Sequence, residues 1–590
     1  MSYRGRSIII PLGDGGLVSD APQSRMPSTS LIEARNVTLA NGYCEKHPGS
    51  RVWQQTNPIT NQLAIIDGGV AAFQEYFPKD GLQRIIALSK FGQVFKLEDR
   101  YSKTAVIPED LTKDPYPLKL KPYTYFGNPG PKLLVGGNET AGGPRKVFIF
   151  SGLSQICVIE GDSDKYRLIK KPAPDWVNSY PSFGVIHRDR LWVFGNANAP
   201  DLLYASVLGD QEDFQTVSSP TPAATDTQIF DVATGEGNGI SGIFVFKNRL
   251  YITKKNTGLY QLNDQDLDPA NWSITRVNSD FGIASPHAVA QIFDDVLLFN
   301  QEGSITSLAA AFQFGDIETA DLFNKLGIER YFRQDVLGSA LSAAQAIYYQ
   351  NQKQIYFMYQ SKGGIKDLGA LPNRILVMDM LSGSSPRITL TDKDTPLCIG
   401  LITDGDGIQK PAYGSYEGYI WEMTATNRSR FSEASIYVST GYWAPGYTNE
   451  GQEAYSFVAQ TPHLDFGYAD PGLSTKVKSY DFLELTFQPT GDWNVYVDVY
   501  IDSELKETVP FNLLRDRPLA DFDSEKGFVL DQDRLDGDIP KSLRKAIHGQ
   551  GRTISFRLRS DGLSQNIKLQ SLQVSFRVSD ERQIKDLRAQ

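Results

Sequence analysis

Short apolar segments recur in pairs along the middle of the chain, and a polar turn that usually contains Gly separates the members of each pair. The clearest pairs are residues 84–88 with 92–97 and residues 249–253 with 258–262. Further pairs follow the same pattern at 146–150 with 154–159, 190–194 with 201–204, 296–299 with 303–308, 354–358 with 374–378, and 412–415 with 418–421. β-Branched and aromatic residues on both sides of a polar turn predict an antiparallel hairpin.

The spacing of these hairpins predicts a repeat architecture. Successive turns lie about 44 to about 71 residues apart, and a four-stranded propeller blade needs roughly 40 to 50 residues plus insertions. The pattern therefore predicts an all-β fold in which residues 61–430 form a β-propeller of six or seven irregular blades. Because one propeller can host many functions, its use must be argued from other features.

The pattern changes after residue 430. Strand segments with apolar and polar residues in alternation lie at 482–487, 493–501, 552–559 and 572–577. Such alternation means that each strand buries one face and exposes the other. We therefore expect residues 431–590 to form an antiparallel β-sandwich-like domain.

The first 60 residues lack the hairpin repeat and carry clustered Gly and Pro. They predict an extended N-terminal arm with short strands, packed on the C-terminal domain or on a neighbouring subunit. Helical spacing of apolar residues predicts helices only at 320–332 and 540–547.

Composition excludes several classes of protein. The chain has 28 Tyr and 31 Phe but only 6 Met, which favours strands and turns. Its three cysteines, Cys44, Cys157 and Cys398, are too far apart in sequence for a disulfide framework or a CxxC metal site. No apolar run reaches the length of a membrane span, so none is expected. The formal charge of −10 disfavours a general electrostatic grip on nucleic acid.

Catalytic patterns are scarce. The five His residues are scattered without metal-ligand spacing, and no GxSxG elbow occurs. Asp404-Gly-Asp-Gly407 resembles a calcium-binding turn but lacks the later Glu, so a surface turn is favoured. We expect no enzyme activity, catalytic residue, cofactor or metal. A carbohydrate-binding or glycan-cleaving propeller stays the alternative, because two carboxylates need only converge in space.

The order of short motifs adds a resemblance. Gly15-Gly16-Leu17, Asn36-Val37 and the turn that contains Lys46, Pro48 and Gly49 resemble the opening of tail nozzle proteins of short-tailed bacteriophages, the tail tubular protein B-like or packaged-DNA stabilisation-like family. Three later segments are similar to further family elements in the same order: Leu203–Phe214, Asp280–Pro286 and His463–Gly467.

The resemblance implies a structural virion protein. In that family six copies form a ring beneath the head-to-tail adaptor, and the ring encloses the channel that retains packaged DNA and conducts it at ejection. The implied partners are the adaptor, a tail fibre or tailspike, a candidate needle or tip protein, and DNA that passes without specific binding. The implied localisation is the tail of the virion, assembled in the host cytoplasm.

Two groups of residues become candidate sites. The first is an acidic segment that could line or gate the channel, with an ordinary solvated loop as the alternative: Asp521, Asp523, Glu525, Asp531, Asp533, Asp536 and Asp538. The second is the assembly arm, represented by Gly15, Gly16, Leu17, Asn36, Val37, Lys46, Pro48 and Gly49. We expect deletion of residues 1–50 to abolish the ring while leaving a soluble propeller.

Overall fold

The computed structural model describes residues 5–578 with gaps. The positions left out are 13, 23–25, 41, 56, 58–63, 80, 113, 121–128, 138–143, 220–222, 255–257, 267, 279–281, 301–302, 311–320, 323–325, 363–373, 381–385, 395, 426–429, 432–451, 515–539 and 564. Strands dominate the described residues, so the all-β prediction is confirmed. The helix α1 spans Glu329–Asp335, and short 3-10 turns lie at Pro269–Asn271, Gly338–Ala343 and Pro471–Leu473.

The arm contains five short strands. They are β1 (Arg6–Pro11), β2 (Glu33–Arg35), β3 (Val37–Ala40), β4 (Tyr43–Lys46) and β5 (Gly49–Val52). Strands β3 and β4 form a hairpin, whereas the others pair with strands that come much later in the chain.

Seven arrays of antiparallel strands follow, and each is built from strands that are consecutive in sequence. Array 1 comprises β6 (Val70–Lys79), β7 (Leu82–Ser89), β8 (Val94–Leu97) and β9 (Thr104–Pro108). Array 2 comprises β10 (Lys132–Gly136), β11 (Lys146–Phe150), β12 (Cys157–Glu160) and β13 (Lys165–Leu168). Array 3 comprises β14 (Phe183–His187), β15 (Arg190–Phe194), β16 (Leu202–Ala205) and β17 (Gln228–Asp231).

The remaining arrays vary in strand number. Array 4 comprises β18 (Ile240–Phe246), β19 (Arg249–Lys254), β20 (Gly258–Asn263) and β21 (Ser273–Asn278). Array 5 comprises β22 (Val289–Ile292), β23 (Asp295–Phe299) and β24 (Ile305–Ser307). Array 6 comprises β25 (Gln345–Tyr349), β26 (Gln354–Tyr359), β27 (Arg374–Asp379) and β28 (Arg387–Thr391). Array 7 comprises β29 (Pro396–Thr403), β30 (Gln409–Ser415) and β31 (Ile420–Ala425).

All seven hairpins predicted from the sequence are confirmed as the second and third strands of the seven arrays. The first strand of every array lines one common cavity of about 670 Å³. Arrays 1 and 2 also join along their outer strands, where β13 runs parallel to β9, into one eight-stranded sheet.

Apolar side chains fill the spaces between neighbouring arrays. Phe73 and Ile85 of array 1 pack with Ala412 and Ile420 of array 7 in one buried cluster, and comparable clusters lie between every other pair of successive arrays. Each array is therefore apolar on both faces, which explains the nearly continuous apolar runs in its central strands.

The C-terminal region adds nine strands. They are β32 (Arg430–Phe431), β33 (Gln452–Glu453), β34 (Phe457–Gln460), β35 (Lys478–Phe487), β36 (Asn494–Ile501), β37 (Glu504–Asn512), β38 (Lys541–Gly551), β39 (Ile554–Ser560) and β40 (Lys568–Val578). Two sheets share a core here: one has the order β34-β39-β36-β37, and the other contains β40, β35 and β38. Their alternating burial places apolar residues such as Val497 and Val574 between them.

The helix predicted at 540–547 is wrong, because this segment lies in strand β38 and pairs with β35. Leu543 and Ile547 are four residues apart, a spacing that places both on one face of a helix, but also on one face of a strand. Pairing with β35 makes this segment a strand and not a helix. In the segment 320–332, only the part from Glu329 onward lies in α1, and positions 320 and 323–325 lie outside the described residues.

Strands of the arm pair with strands from the rest of the chain. Strand β1 pairs with β40, β4 extends the same sheet, and β5 pairs with β31 at the outer edge of array 7. Strand β2 lies between β28 and β34, so that array 6 and a C-terminal sheet become one nine-stranded sheet. The boundaries at 60/61 and 430/431 stay predictions.

Candidate functional site

The Gly15-Gly16-Leu17 segment lies against array 6. The Leu17 backbone N–H donates to the Ile388 carbonyl at 3.0 Å, and the Leu17 side chain is buried. A Cβ atom at position 15 would collide with the Thr29 carbonyl group, so the close approach of these two backbone segments requires Gly. The first motif of the arm therefore forms close backbone contacts within one copy of the chain.

Asn36 holds three regions together. Its Nδ2 donates to Asp392 Oδ1 at 2.9 Å and to the Ser456 carbonyl at 2.6 Å, while its Oδ1 accepts from Thr391 Oγ1 at 2.9 Å. The residue is fully buried and has φ of 53°, a left-handed conformation that Asn tolerates better than most residues. Val37, which follows it, is buried opposite Lys46 in the β3–β4 hairpin.

The Lys46–Gly49 turn continues this anchoring. Lys46 Nζ donates to the Gly562 carbonyl at 2.9 Å and lies 4.6 Å from the centre of the Tyr455 ring. The Pro48 carbonyl accepts from Lys393 Nζ at 2.6 Å, and Gly49 opens strand β5 opposite Ala425. All eight residues of the predicted assembly arm thus lie in contacts within the chain. The acidic segment from Asp521 to Asp538 lies outside the described residues.

The Gly209–Phe214 turn joins arrays 2 and 3. Lys146 Nζ is 2.7 Å from the buried carboxylate of Glu212, which also pairs with Arg167. Burial raises the pKa of Glu212, but hydrogen bonds from Arg167 and Lys146 outweigh it and leave the pKa below its usual value. The neighbouring Phe214 ring packs 4.9 Å from the Trp176 ring. The turn therefore links arrays 2 and 3 through buried ion pairs and an aromatic contact.

The residue patterns weighed for chemistry have structural roles. Buried His187 places Nε2 2.7 Å from Asp264 Oδ2, which ties array 3 to the segment after β20. Lys410 Nζ lies 2.9 Å from Asp404 Oδ2, where a calcium ion would need the carboxylate, so the surface-turn interpretation of Asp404–Gly407 is supported. Burial raises the pKa of the Cys398 thiol to about 12, which makes it a poor nucleophile.

No group of three or more His, Cys, Asp or Glu side chains within the described ranges could hold a metal ion. None of the helices described has both the length and the apolar character needed to cross a membrane.

The common cavity carries a small polar cluster that the sequence analysis missed. Lys132 and His287 border it, and the Phe183 ring lies 5.3 Å from Lys132 Nζ and 5.3 Å from the His287 ring centre. Glu75 also borders it, but Thr403 and Gln83 already donate to its carboxylate. These residues come from different arrays, so no sequence spacing could have indicated that they meet.

Comparisons with known proteins assign no family. No protein-family model matches the chain, and no curated protein matches it in sequence. Several solved structures are distantly similar to the chain. A computationally designed protein, Ika8, has 13% identity and a TM-score of 0.35 over 70% of this chain and 100% of its own.

Two natural proteins are similarly distant. The extracellular domain of a hybrid two-component system from B. thetaiotaomicron has 13% identity and a TM-score of 0.37 over 69% of this chain and 43% of its own. An exo-β-1,3-galactanase from Phanerochaete chrysosporium has 9% identity and a TM-score of 0.26 over 89% of this chain and 99% of its own. Scores this low carry no argument about fold family or function.

Proposed function

We propose that the chain is a seven-bladed β-propeller joined to a β-sandwich-like domain, and that six copies form the nozzle of a short bacteriophage tail. Seven arrays around one cavity, with apolar clusters between neighbours, support the propeller. Strand β5 completes array 7 from the beginning of the chain, so every array except array 5 then has four strands among the described residues.

The nozzle proposal rests on the positions of the arm motifs in the structure. Gly15–Leu17, Asn36 and Lys46–Gly49 join array 6, array 7 and the C-terminal sheets through buried contacts. A single stiff body that spans arm, propeller and sandwich suits a wall element that withstands the pressure of packaged DNA. The ordered resemblance to nozzle proteins supplies the class of structure to which such a body would belong.

Charge fits this role. Each copy carries −10, so a ring of six presents a strongly anionic wall. Such a wall repels phosphate, and DNA can slide through it without being held. In this proposal the adaptor lies above the ring, with tail fibres or tailspikes at the junction and a needle or tip protein below.

Because the eight residues of the predicted assembly arm are engaged within the copy, the contacts between copies have to come from other residues. Ile9 of β1 and Phe482 of β35 are 59% and 39% exposed, and both neighbour β40 on the outer face of one C-terminal sheet. We place a contact between copies on this face, because apolar side chains that project from a sheet are natural interface residues.

The test is the mass of the assembly. Six copies of 65.6 kDa give roughly 390 kDa in native mass spectrometry, and negative-stain images should show six-fold rings. A chain that stays monomeric at assembly concentrations and binds or cleaves a polysaccharide would instead support the glycan-directed alternative. Cleavage at the common cavity is disfavoured, because Glu75 is its one lining carboxylate in the described part of the chain.

A pair of variants locates the contact. Ile9→Glu combined with Phe482→Glu should reduce the ring to smaller species while leaving the circular dichroism spectrum unchanged. Leu505→Glu is the matched control, because Leu505 is 51% exposed on a different C-terminal sheet. A ring that survives the double variant would move the contact away from this face.

A further inference from the structure

The common cavity contains Lys132, whose ammonium has no ion-pair partner among the described residues. Lys132 lies at the start of β10 and borders the cavity, where its ammonium lies over the Phe183 ring. Among the described residues no carboxylate, carbonyl or hydroxyl accepts a hydrogen bond from Lys132 Nζ. Lys254 and Lys96, which are more deeply buried than the half-buried Lys132, are both paired: Lys254 donates to two carbonyls and lies 2.9 Å from Asp201, and Lys96 lies 3.2 Å from Asp162.

The charged form of Lys132 is destabilised at this cavity. Burial lowers the pKa of Lys132, because the charged form loses hydration without gaining a counter-charge. A ring face compensates only part of this loss. Glu75, the one lining carboxylate among the described residues, already accepts hydrogen bonds from Thr403 and Gln83. An anion that enters the cavity would supply the counter-charge that Lys132 lacks among the described residues.

His287 adds the second recognition element. Its Nε2 lies 2.9 Å from the Gly130 carbonyl, and a carbonyl only accepts, so Nε2 carries the proton. Burial and then the nearby Lys132 charge lower the pKa of His287 to about 3, so the ring is neutral at physiological pH. The neutral ring leaves Nδ1 as a hydrogen-bond acceptor. The Phe183 ring contacts both residues, which places the Lys132 ammonium and the His287 ring beside each other at the cavity.

We propose that the cavity binds a small hydroxycarboxylate, with its carboxylate on Lys132 and its hydroxyl donating to His287 Nδ1. Aromatic lining residues, Phe73, Phe183 and Phe244, would contact a compact ring or apolar body. The volume of about 670 Å³ is in the range of small-molecule sites. The site lies inside one copy of the chain, so it stands or falls independently of ring assembly.

Mandelate is a suitable probe because it combines a carboxylate, a neighbouring hydroxyl and a ring. Isothermal titration of the full chain at pH 7 should show saturable binding of mandelate, at least tenfold weaker binding of phenylacetate, and no binding of mandelamide. Equal binding of mandelate and mandelamide would overturn the proposal, as would no mandelate binding at all.

Variants separate the two contacts. Lys132→Met should weaken mandelate binding at least tenfold, whereas Lys165→Met, at an exposed position in the same array, should leave it unchanged. His287→Phe should reduce mandelate binding to the level of phenylacetate and leave phenylacetate binding unchanged. Unchanged affinity in Lys132→Met would contradict the proposal.

A pH series on the wild-type chain gives a test that needs no variant. Mandelate stays ionised above neutral pH, so its affinity should fall as pH rises through the lowered pKa of Lys132. An affinity that is flat across that range would assign binding to some group other than Lys132.

Discussion

The arm and the seven arrays are both made of short strands, but they differ in where each strand finds its partner. In the arrays, neighbours in sequence are neighbours in the sheet, as in β19 with β20. In the arm, β1 pairs with β40 and β5 with β31, across most of the chain. The comparison shows that a local repeat builds the seven arrays, whereas pairing between strands distant in sequence joins the arm, the arrays and the C-terminal sheets.

Polar anchoring differs in the same way. Between arrays, buried charges such as Glu212 pair with cations from the adjacent array. In the arm, buried polar side chains form hydrogen bonds with segments that are distant in sequence. Asn36 bonds the side chains of Asp392 and Thr391 and the Ser456 carbonyl, and Lys46 bonds the Gly562 carbonyl. We therefore expect the arm to depend on backbone geometry and the arrays to depend on charge.

The largest expected effect is that of removing the arm. Deletion of residues 1–52 removes β1 to β5, which exposes the edges of β31 and β40 and splits the nine-stranded sheet. We expect loss of the cooperative thermal transition, not the soluble propeller that the sequence alone suggested. Differential scanning calorimetry would measure it, with a deletion of residues 1–4 as the control that keeps β1. A truncated chain that melts at the wild-type temperature would show that the arm is dispensable.

A smaller effect is expected between arrays. Glu212→Gln leaves Lys146 and Arg167 without their buried carboxylate and should lower the free energy of unfolding by about 3 to 5 kcal/mol. The matched control is Glu160→Gln, because Glu160 pairs with the same Arg167 but is 41% exposed. Its loss should cost about 1 kcal/mol or less. Equal costs in urea denaturation would mean that burial of Glu212 adds nothing.

The smallest effect should come from a single arm residue. Asn36→Ala removes the amide that bonds Asp392, Thr391 and Ser456, and it places Ala in a left-handed backbone conformation. We expect the free energy of unfolding to fall by about 2 to 4 kcal/mol. Asn178→Ala is the control, since Asn178 has φ of 60° but is exposed. The backbone cost alone should be about 1 kcal/mol. A loss no greater than that of the control would show that the Asn36 hydrogen bonds contribute nothing.

The local elements were predictable because their causes are local. The turn at Gly258 and the apolar runs on either side of it indicate a hairpin whatever the rest of the chain does. The alternation in 572–577 likewise indicates a strand with one buried face, and the structure places it in β40. The error at 540–547 arose where Leu543 and Ile547 suit either a helix or a strand, and only pairing with β35 separates the two.

The candidate sites were less predictable. Gly15, Asn36 and Lys46 were singled out for assembly between copies, yet each is engaged within one copy by residues such as Thr29, Asp392 and Gly562. A sequence can show that a residue is unusual without showing which surface it meets. Lys132 carried no signal at all, since one lysine at the start of a strand is ordinary until the partners it lacks are known.

The sequence by itself therefore determined the all-β class, the seven central hairpins and the change of pattern at the C-terminal strands. It could do so because periodicity and turn chemistry act over a few residues. Only the tertiary structure decided that β2 links two sheets, that β5 completes array 7, and that Lys132, Phe183 and His287 meet around one cavity. These outcomes depend on which distant strands pair and pack, and the free energy that selects them comes from burial shared across the whole chain.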